Sequence, residues 1–324
     1  MSKVSFIINP VLRCAIRGSQ RVFAVSDICR LELKFCNSEK EIIMKVAFIG
    51  AGRVGCSIGK YLSESGVPVT GYYDTAKESA ASAARFTASE AFSFIEALIS
   101  RSSLIFLTTP DGLIQPTWEK IRPLPITGKI ICHCSGALPA DAFTGIAQTG
   151  AHGCSLHPML PFSDRYTSYQ QLKHAFFTIE GQEAAVQAVT ELFSSLGNTV
   201  CQIKSACKPS YHAAASILSN QVIAVLDTGY RLLESCGFSR EEARNATKEL
   251  VRLNIENVLQ HDCAAALTGP IERGDMQTVQ KHLDCLPQDD QQMYRVLGAK
   301  LVQIARQKNP GHDYTDLLNL LQKS

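Results

Sequence analysis

Short apolar runs alternate with helical patterns from residue 44 to about residue 205, and only helical patterns follow. The runs at 45–49, 69–73, 104–108, 129–133, 153–156, 176–179 and 200–203 read as buried strands, most of them bounded by Gly, Pro, Ser or Asp. Residues 54–65 carry a helical period that Gly66 ends, and 76–85 form a small-residue helix. The runs at 104–108 and 129–133 stop at Thr109-Pro110-Asp111-Gly112 and at Ser135-Gly136. Strands alternating with helices predict an α/β domain with a mostly parallel, doubly wound sheet.

Beyond residue 205 no strand pattern remains. Residues 210–234 are long and periodic, and Ser239 with Glu242 forms a capping box that opens another helix. Further helical patterns lie at 275–284, 288–307 and 314–322. The expected organisation is an extension or presequence over 1–43, an α/β domain over 44–205 and an all-α domain over 206–324.

Composition narrows the partners. The chain has 324 residues, a length that fits two domains, and 45% hydrophobic with 19% charged residues is ordinary for a globular protein. A formal charge of +2 points to neither nucleic acid nor an anionic membrane surface, and no apolar stretch is long enough to span a bilayer. The 12 cysteines show no repeated spacing, which favours reduced thiols and a cytoplasmic protein. Cys132, His133, Cys134, His152, Cys154 and His157 lie close in sequence as zinc ligands would. They contain no CxxC pair, and Cys132 and Cys134 fall in or beside a buried strand, so no metal is expected.

The first 43 residues differ from the rest. Lys3, Arg13, Arg17 and Arg21 precede the first acid, Asp27, and the three arginines recur every four residues. An organellar presequence has this character, and a simple extension before Met44 is the favoured alternative. No catalytic role is expected of this segment.

The first strand runs into Gly50-Ala51-Gly52-Arg53-Val54-Gly55, a G-x-G-x-x-G that opens a helix. In this setting the first glycine permits a tight turn, the second lets backbone approach a pyrophosphate, and the third lets helix and strand pack closely. The helix N-terminus offers free N–H groups to the phosphates. Asp74 stands 24 residues after Gly50 at the end of the second strand, where an acid binds a ribose 2′-OH and repels a 2′-phosphate. A Rossmann domain binding NAD(P)H is therefore expected, with NADH slightly favoured, although Lys77 nearby also suits a phosphate.

Ligands of such sheets collect beyond the carboxyl ends of the strands. Thr108, Thr109 and Pro110 arrive there and are expected beside the cofactor. Ser135 and Gly136 offer a hydroxyl and open N–H groups to an anionic or carbonyl substrate. His157, before Pro158, places an imidazole at a strand end, a group that changes charge near neutral pH. On the first helix after the sheet, steps of four place Lys208, His212, Ser216 and Asn220 on one drifting face.

These residues carry resemblances. Gly50–Gly55, Ser135 and His157-Pro158-Met159 resemble prephenate dehydrogenase over the cofactor domain, which implies substrate contacts for Ser135 and His157. Lys208 resembles the acid–base lysine of ketopantoate reductase and the 3-hydroxyacid dehydrogenases, with His212 where that family has Asn. Ser135-Gly136, His157-Pro158, Lys208, Tyr211-His212-Ala213-Ala214, Ser219-Asn220 and the run from Leu267 to Asp275 together resemble a narrower family. It joins a Rossmann-like oxidoreductase to a helical domain of unknown function, beside ketopantoate reductase and pyrroline-5-carboxylate reductase.

The resemblance implies reduction of a small anionic 2-oxo acid, ketopantoate being the best guess. Lys208 or His212 would protonate the alkoxide, while Ser135, His157 and Asn220 orient the substrate. Arg273 would bind a carboxylate or pair within its own domain. A homodimer is also implied. Imine reduction, prephenate-type dehydrogenation and a non-catalytic dinucleotide sensor are the alternatives.

Overall fold

The computed structural model describes residues 44–323, so the expectations for 1–43 lie outside the described residues. The chain divides into two compact units between Lys208 and Pro209, which leaves Lys208 with the first.

The first unit is built on one sheet of eight strands: β1 (Val46–Ile49), β2 (Val69–Tyr73), β3 (Glu90–Ala91), β4 (Leu104–Leu107), β5 (Ile130–His133), β6 (His152–Pro158), β7 (Phe176–Gly181) and β8 (Thr199–Gln202). Their spatial order is β3-β2-β1-β4-β5-β6-β7-β8. Every pairing is parallel except β6 with β7. Helices α1 (Arg53–Glu64), α2 (Lys77–Thr87), α3 (Ile95–Ser100), α4 (Asp111–Ile121) and α5 (Glu183–Ser195) connect the strands.

Alternate side chains of the central strands enter two apolar cores. Val46, Phe48, Leu104, Phe106, Cys132 and Cys154 lie in one. Ala47, Ile49, Ile105, Leu107 and Ile131 lie in the other with Trp118 and Phe143. This two-sided burial explains why β1, β4 and β5 read as unbroken apolar runs.

Three departures from the expected pattern have local causes. β3 is two residues long with no apolar run, and it pairs only with the edge of β2. The stop expected at Thr109–Gly112 is instead the start of α4, because Asp111 suits a helix N-terminus. Ile114, Trp118 and Ile121 bury one face of α4, which outweighs Pro116 inside it. β6 continues past Leu156 through His157 and Pro158, held by the pairs His157–Thr178 and Pro158–Phe177. His157 is thus a half-buried strand residue rather than the first residue of a loop.

The second unit, from Pro209, is helical: the rest of α6 (Lys208–Ser216), then α7 (Val222–Ser235), α8 (Arg240–Gln260), α9 (Cys263–Ala266), α10 (Met276–Cys285), α11 (Gln288–Lys308) and α12 (Thr315–Gln322). A π-helical segment, Ile217–Gln221, divides the single helix expected over 210–234. The capping box at Ser239 and Glu242 is formed as expected. Ile271, Val279, Leu283, Val302, Tyr314, Leu317 and Leu321 make the core of this unit.

Candidate active site

The parallel register of β1, β4, β5 and β6 brings their carboxyl ends to one edge of the sheet. The glycine loop, Thr108–Pro110 and Ser135 follow three of these ends, and His157 lies on the last strand.

The three glycines of the loop answer to different neighbours. Gly50 has φ +104°, and a Cβ there would lie 2.8 Å from the Thr108 carbonyl carbon. At Gly55 a Cβ would collide with Thr108 Oγ1. Nothing lies within 4 Å of a Cβ at Gly52. The protein's own packing requires glycine at Gly50 and Gly55, whereas Gly52 leaves space open over the loop. Thr108 Oγ1 donates to the Gly50 carbonyl at 2.7 Å and joins the loop to β4.

Asp74 fastens the loop from β2. Its Oδ2 accepts from the Ala51 N–H at 2.7 Å and its Oδ1 from the Ala76 N–H at 2.8 Å. Gly50, Gly52, Asp74, Thr108, Thr109 and Pro110 line one cleft of ≈ 360 Å³, walled also by Ile49, Ile95, Leu113 and Pro116. Lys120 and Thr117 complete its rim. Thr109 Oγ1 is buried without a hydrogen-bond partner among the described residues. Arg53 and Val54 open α1, Arg53 exposed and Val54 half-buried. An apolar slot, an open glycine and an N-terminal helical turn suit an adenine ring with its ribose and pyrophosphate. These residues therefore fit a dinucleotide.

A second constellation surrounds Ser135. Its side chain is buried, its Oγ donates to Asp111 Oδ2 at 2.8 Å, and the same Oγ accepts from the Leu138 N–H at 2.9 Å. Its N–H donates to His133 Nδ1 at 3.2 Å, so Nε2 carries the ring proton and donates to the Pro139 carbonyl. Burial pulls the His133 imidazole down to about 4, and the nearby Lys208 charge adds to this.

Lys208 is 1% exposed, although a lysine is rarely buried unpaired. Its Nζ donates to the Ser135 carbonyl at 2.6 Å and to Ser155 Oγ at 2.7 Å. Burial draws the ammonium below the ordinary lysine range, against the opposing pull of Glu180.

The remaining site expectations fare differently. Ser216 is half-buried while His212 and Asn220 are exposed, so the stripe expected to run from Lys208 has no common environment. Asn220 accepts from Ser219 Oγ. Gly136 follows Ser135 in the turn, and Arg273 is exposed. The run that ends at Asp275 is a framework turn of the second unit. Tyr314 Oη and Asn309 Nδ2 donate to the Glu272 carbonyl, Lys308 Nζ donates to the Leu267 carbonyl, and Asp275 caps α10. The cysteine and histidine cluster is part of the sheet. Cys132 and Cys154 stand opposite one another on β5 and β6, both buried, and burial holds the Cys132 thiol protonated.

Asp111, Ser155, Glu180 and Ser205 were missed as site residues. Ser155 had a signal, since it precedes His157 by one strand period. So did Glu180, a lone acid closing an apolar run.

Two family models match the sequence: a Rossmann-like domain over residues 36–158, and a domain of unknown function, DUF2520, over residues 175–301. The chain joins a Rossmann-like domain to a DUF2520 domain. The second match begins at the edge of β7, so the last two strands of the sheet fall within it. No curated protein matches the sequence.

Solved structures share the fold. A Bacteroides fragilis protein described as an NADP oxidoreductase is 21% identical with a TM-score of 0.65, over 80% of this chain and 98% of its own. An imine reductase from Pseudomonas is 18% identical with a TM-score of 0.56, over 86% and 92%. Pyrroline carboxylate reductase from Plasmodium falciparum, solved with NADP bound, is 15% identical with a TM-score of 0.56, over 82% and 96%. At these identities the likeness is one of fold.

Proposed function

We propose that this protein is an NAD(P)H-dependent oxidoreductase that reduces a small substrate at the carboxyl edge of its sheet. The observation that carries this reading is the open space at Gly52, in a cleft that Asp74 and Thr108–Pro110 also line. The bound dinucleotide supplies a hydride to the substrate carbon. Asp74 retains lone pairs for a ribose 2′-OH and sets a negative charge against a 2′-phosphate, which favours NADH.

Lys208 is the proton donor in this reading. An ammonium has three N–H bonds, and two are engaged by Ser135 and Ser155. The third meets the oxygen on which charge develops when a 2-oxo acid is reduced, with ketopantoate the first substrate to try. Ser135 and His157 orient the substrate, and a second copy of the chain covers the exposed Leu250, Leu253 and Leu259 of α8.

One observation favours a second reading. The Asp111 carboxylate accepts from Ser135 Oγ, and an acid there suits a protonated imine better than a carboxylate. Following NAD(P)H consumption with a panel of 2-oxo acids and cyclic imines tests both. Turnover of neither class over the background rate overturns the reductase reading.

A further inference from the structure

Glu180 is a buried acid that cofactor binding does not require. It is 1% exposed near the end of β7. Its Oε1 accepts from the Ala140 N–H at 2.7 Å and its Oε2 from Ser205 Oγ at 2.6 Å. Ala140 follows Ser135 in the chain, and Ser205 opens the short turn that leads into Lys208. In the sheet Glu180 stands opposite Ser155, whose hydroxyl accepts from Lys208. One carboxylate therefore ties the segment after Ser135, whose carbonyl accepts from Lys208, to the turn that leads into Lys208.

Counting donors gives this arrangement a purpose. A neutral amine has two N–H bonds, and Ser135 and Ser155 would take both. Only the charged form keeps one for a substrate. Burial works against the charge, and Glu180 is the strongest group supporting it, ahead of Asp111. His133, which also faces Lys208, is neutral above about pH 4.

We propose that Glu180 is a positioning residue that keeps Lys208 an ammonium, so that its third N–H stays available to the substrate oxygen. This rests on the reductase reading. As hydride reaches the carbonyl carbon, the C=O π pair moves to oxygen, which takes a proton from Lys208 Nζ. The amine left behind keeps its two N–H bonds to Ser135 and Ser155. Glu180 acts through Lys208 and touches no reacting atom.

The test follows the Lys208 Nζ resonance by ¹⁵N NMR across pH, in the full chain without cofactor or substrate, with Lys208→Met to assign it. Glu180→Gln should lower the titration midpoint by about one pH unit or more, and Glu180→Asp should restore most of it. An unchanged midpoint in Glu180→Gln overturns the proposal. If that variant does not fold, the Lys208→Met background decides. There Glu180→Gln should be tolerated, because the harm comes from leaving a buried charge unpaired. Equal harm in both backgrounds makes Glu180 a mere clamp and overturns the proposal. Neither readout needs a dinucleotide or turnover, so its failure is distinct from failure of the reductase reading.

Discussion

Lys208 Nζ lies 2.6 Å from the Ser135 carbonyl oxygen, joining the last residue of the first unit to the turn that follows β5. Because Ser155 Oγ takes a second bond, the ammonium is fixed in direction before any ligand arrives. Replacing Lys208 with Met should lower kcat by roughly 10²–10⁴. It should leave dinucleotide affinity within a few-fold, because Lys208 does not line the glycine cleft. Steady-state rates and calorimetry on one preparation separate the two effects. A variant that keeps full turnover would remove Lys208 from the chemistry.

The glycine loop allows its structural and binding roles to be separated. Gly50→Ala places a Cβ against the Thr108 backbone at positive φ and should cost roughly 2 kcal/mol or more of stability. The Cβ of Gly52→Val meets no neighbour within 4 Å, and the variant should keep stability within about 1 kcal/mol. It should nonetheless abolish dinucleotide binding by filling the space over the loop. Thermal unfolding with calorimetry checks both, and tight binding by Gly52→Val would show that the cleft holds something else.

Asp74 has two roles that one substitution exposes together. Asp74→Ala leaves the Ala51 and Ala76 N–H groups without their acceptor and should cost about 1–2 kcal/mol. It should also shift selectivity toward NADPH, read as the ratio of dissociation constants. An unchanged ratio would confine Asp74 to holding the loop.

His133 gives the first unit a pH dependence of predictable sign. Its ring titrates at about 4 in the fold and near 6.5 when unfolded. Between those values the unfolded chain binds more protons, so stability falls as pH falls from about 6.5 toward 4. The full loss is about 3 kcal/mol. Denaturant unfolding at about pH 7, 5.5 and 4.5 should show this slope. His133→Gln keeps a donor and an acceptor and should flatten it.

Periodicity made most of the fold legible. Seven of the strands and the capping box at Ser239 announced themselves through apolar runs and cap chemistry. β3 did not, because a two-residue edge strand has no periodicity to read. The glycine loop was legible because its chemistry is contiguous in the chain. The Lys208 cluster was only partly so, because Ser135, Ser155, Glu180 and Ser205 meet through sheet register. The residues of the stripe from Lys208 to Asn220 range from buried to exposed, because tertiary burial and not helical spacing decides where each side chain ends.

Calorimetric titration of the purified protein with NADH and with NADPH decides whether the glycine cleft is a dinucleotide site. Saturable binding of at least one is expected, with one site per chain and NADH the tighter. Failure of both to bind at about millimolar concentration would show that the cleft is not a dinucleotide site.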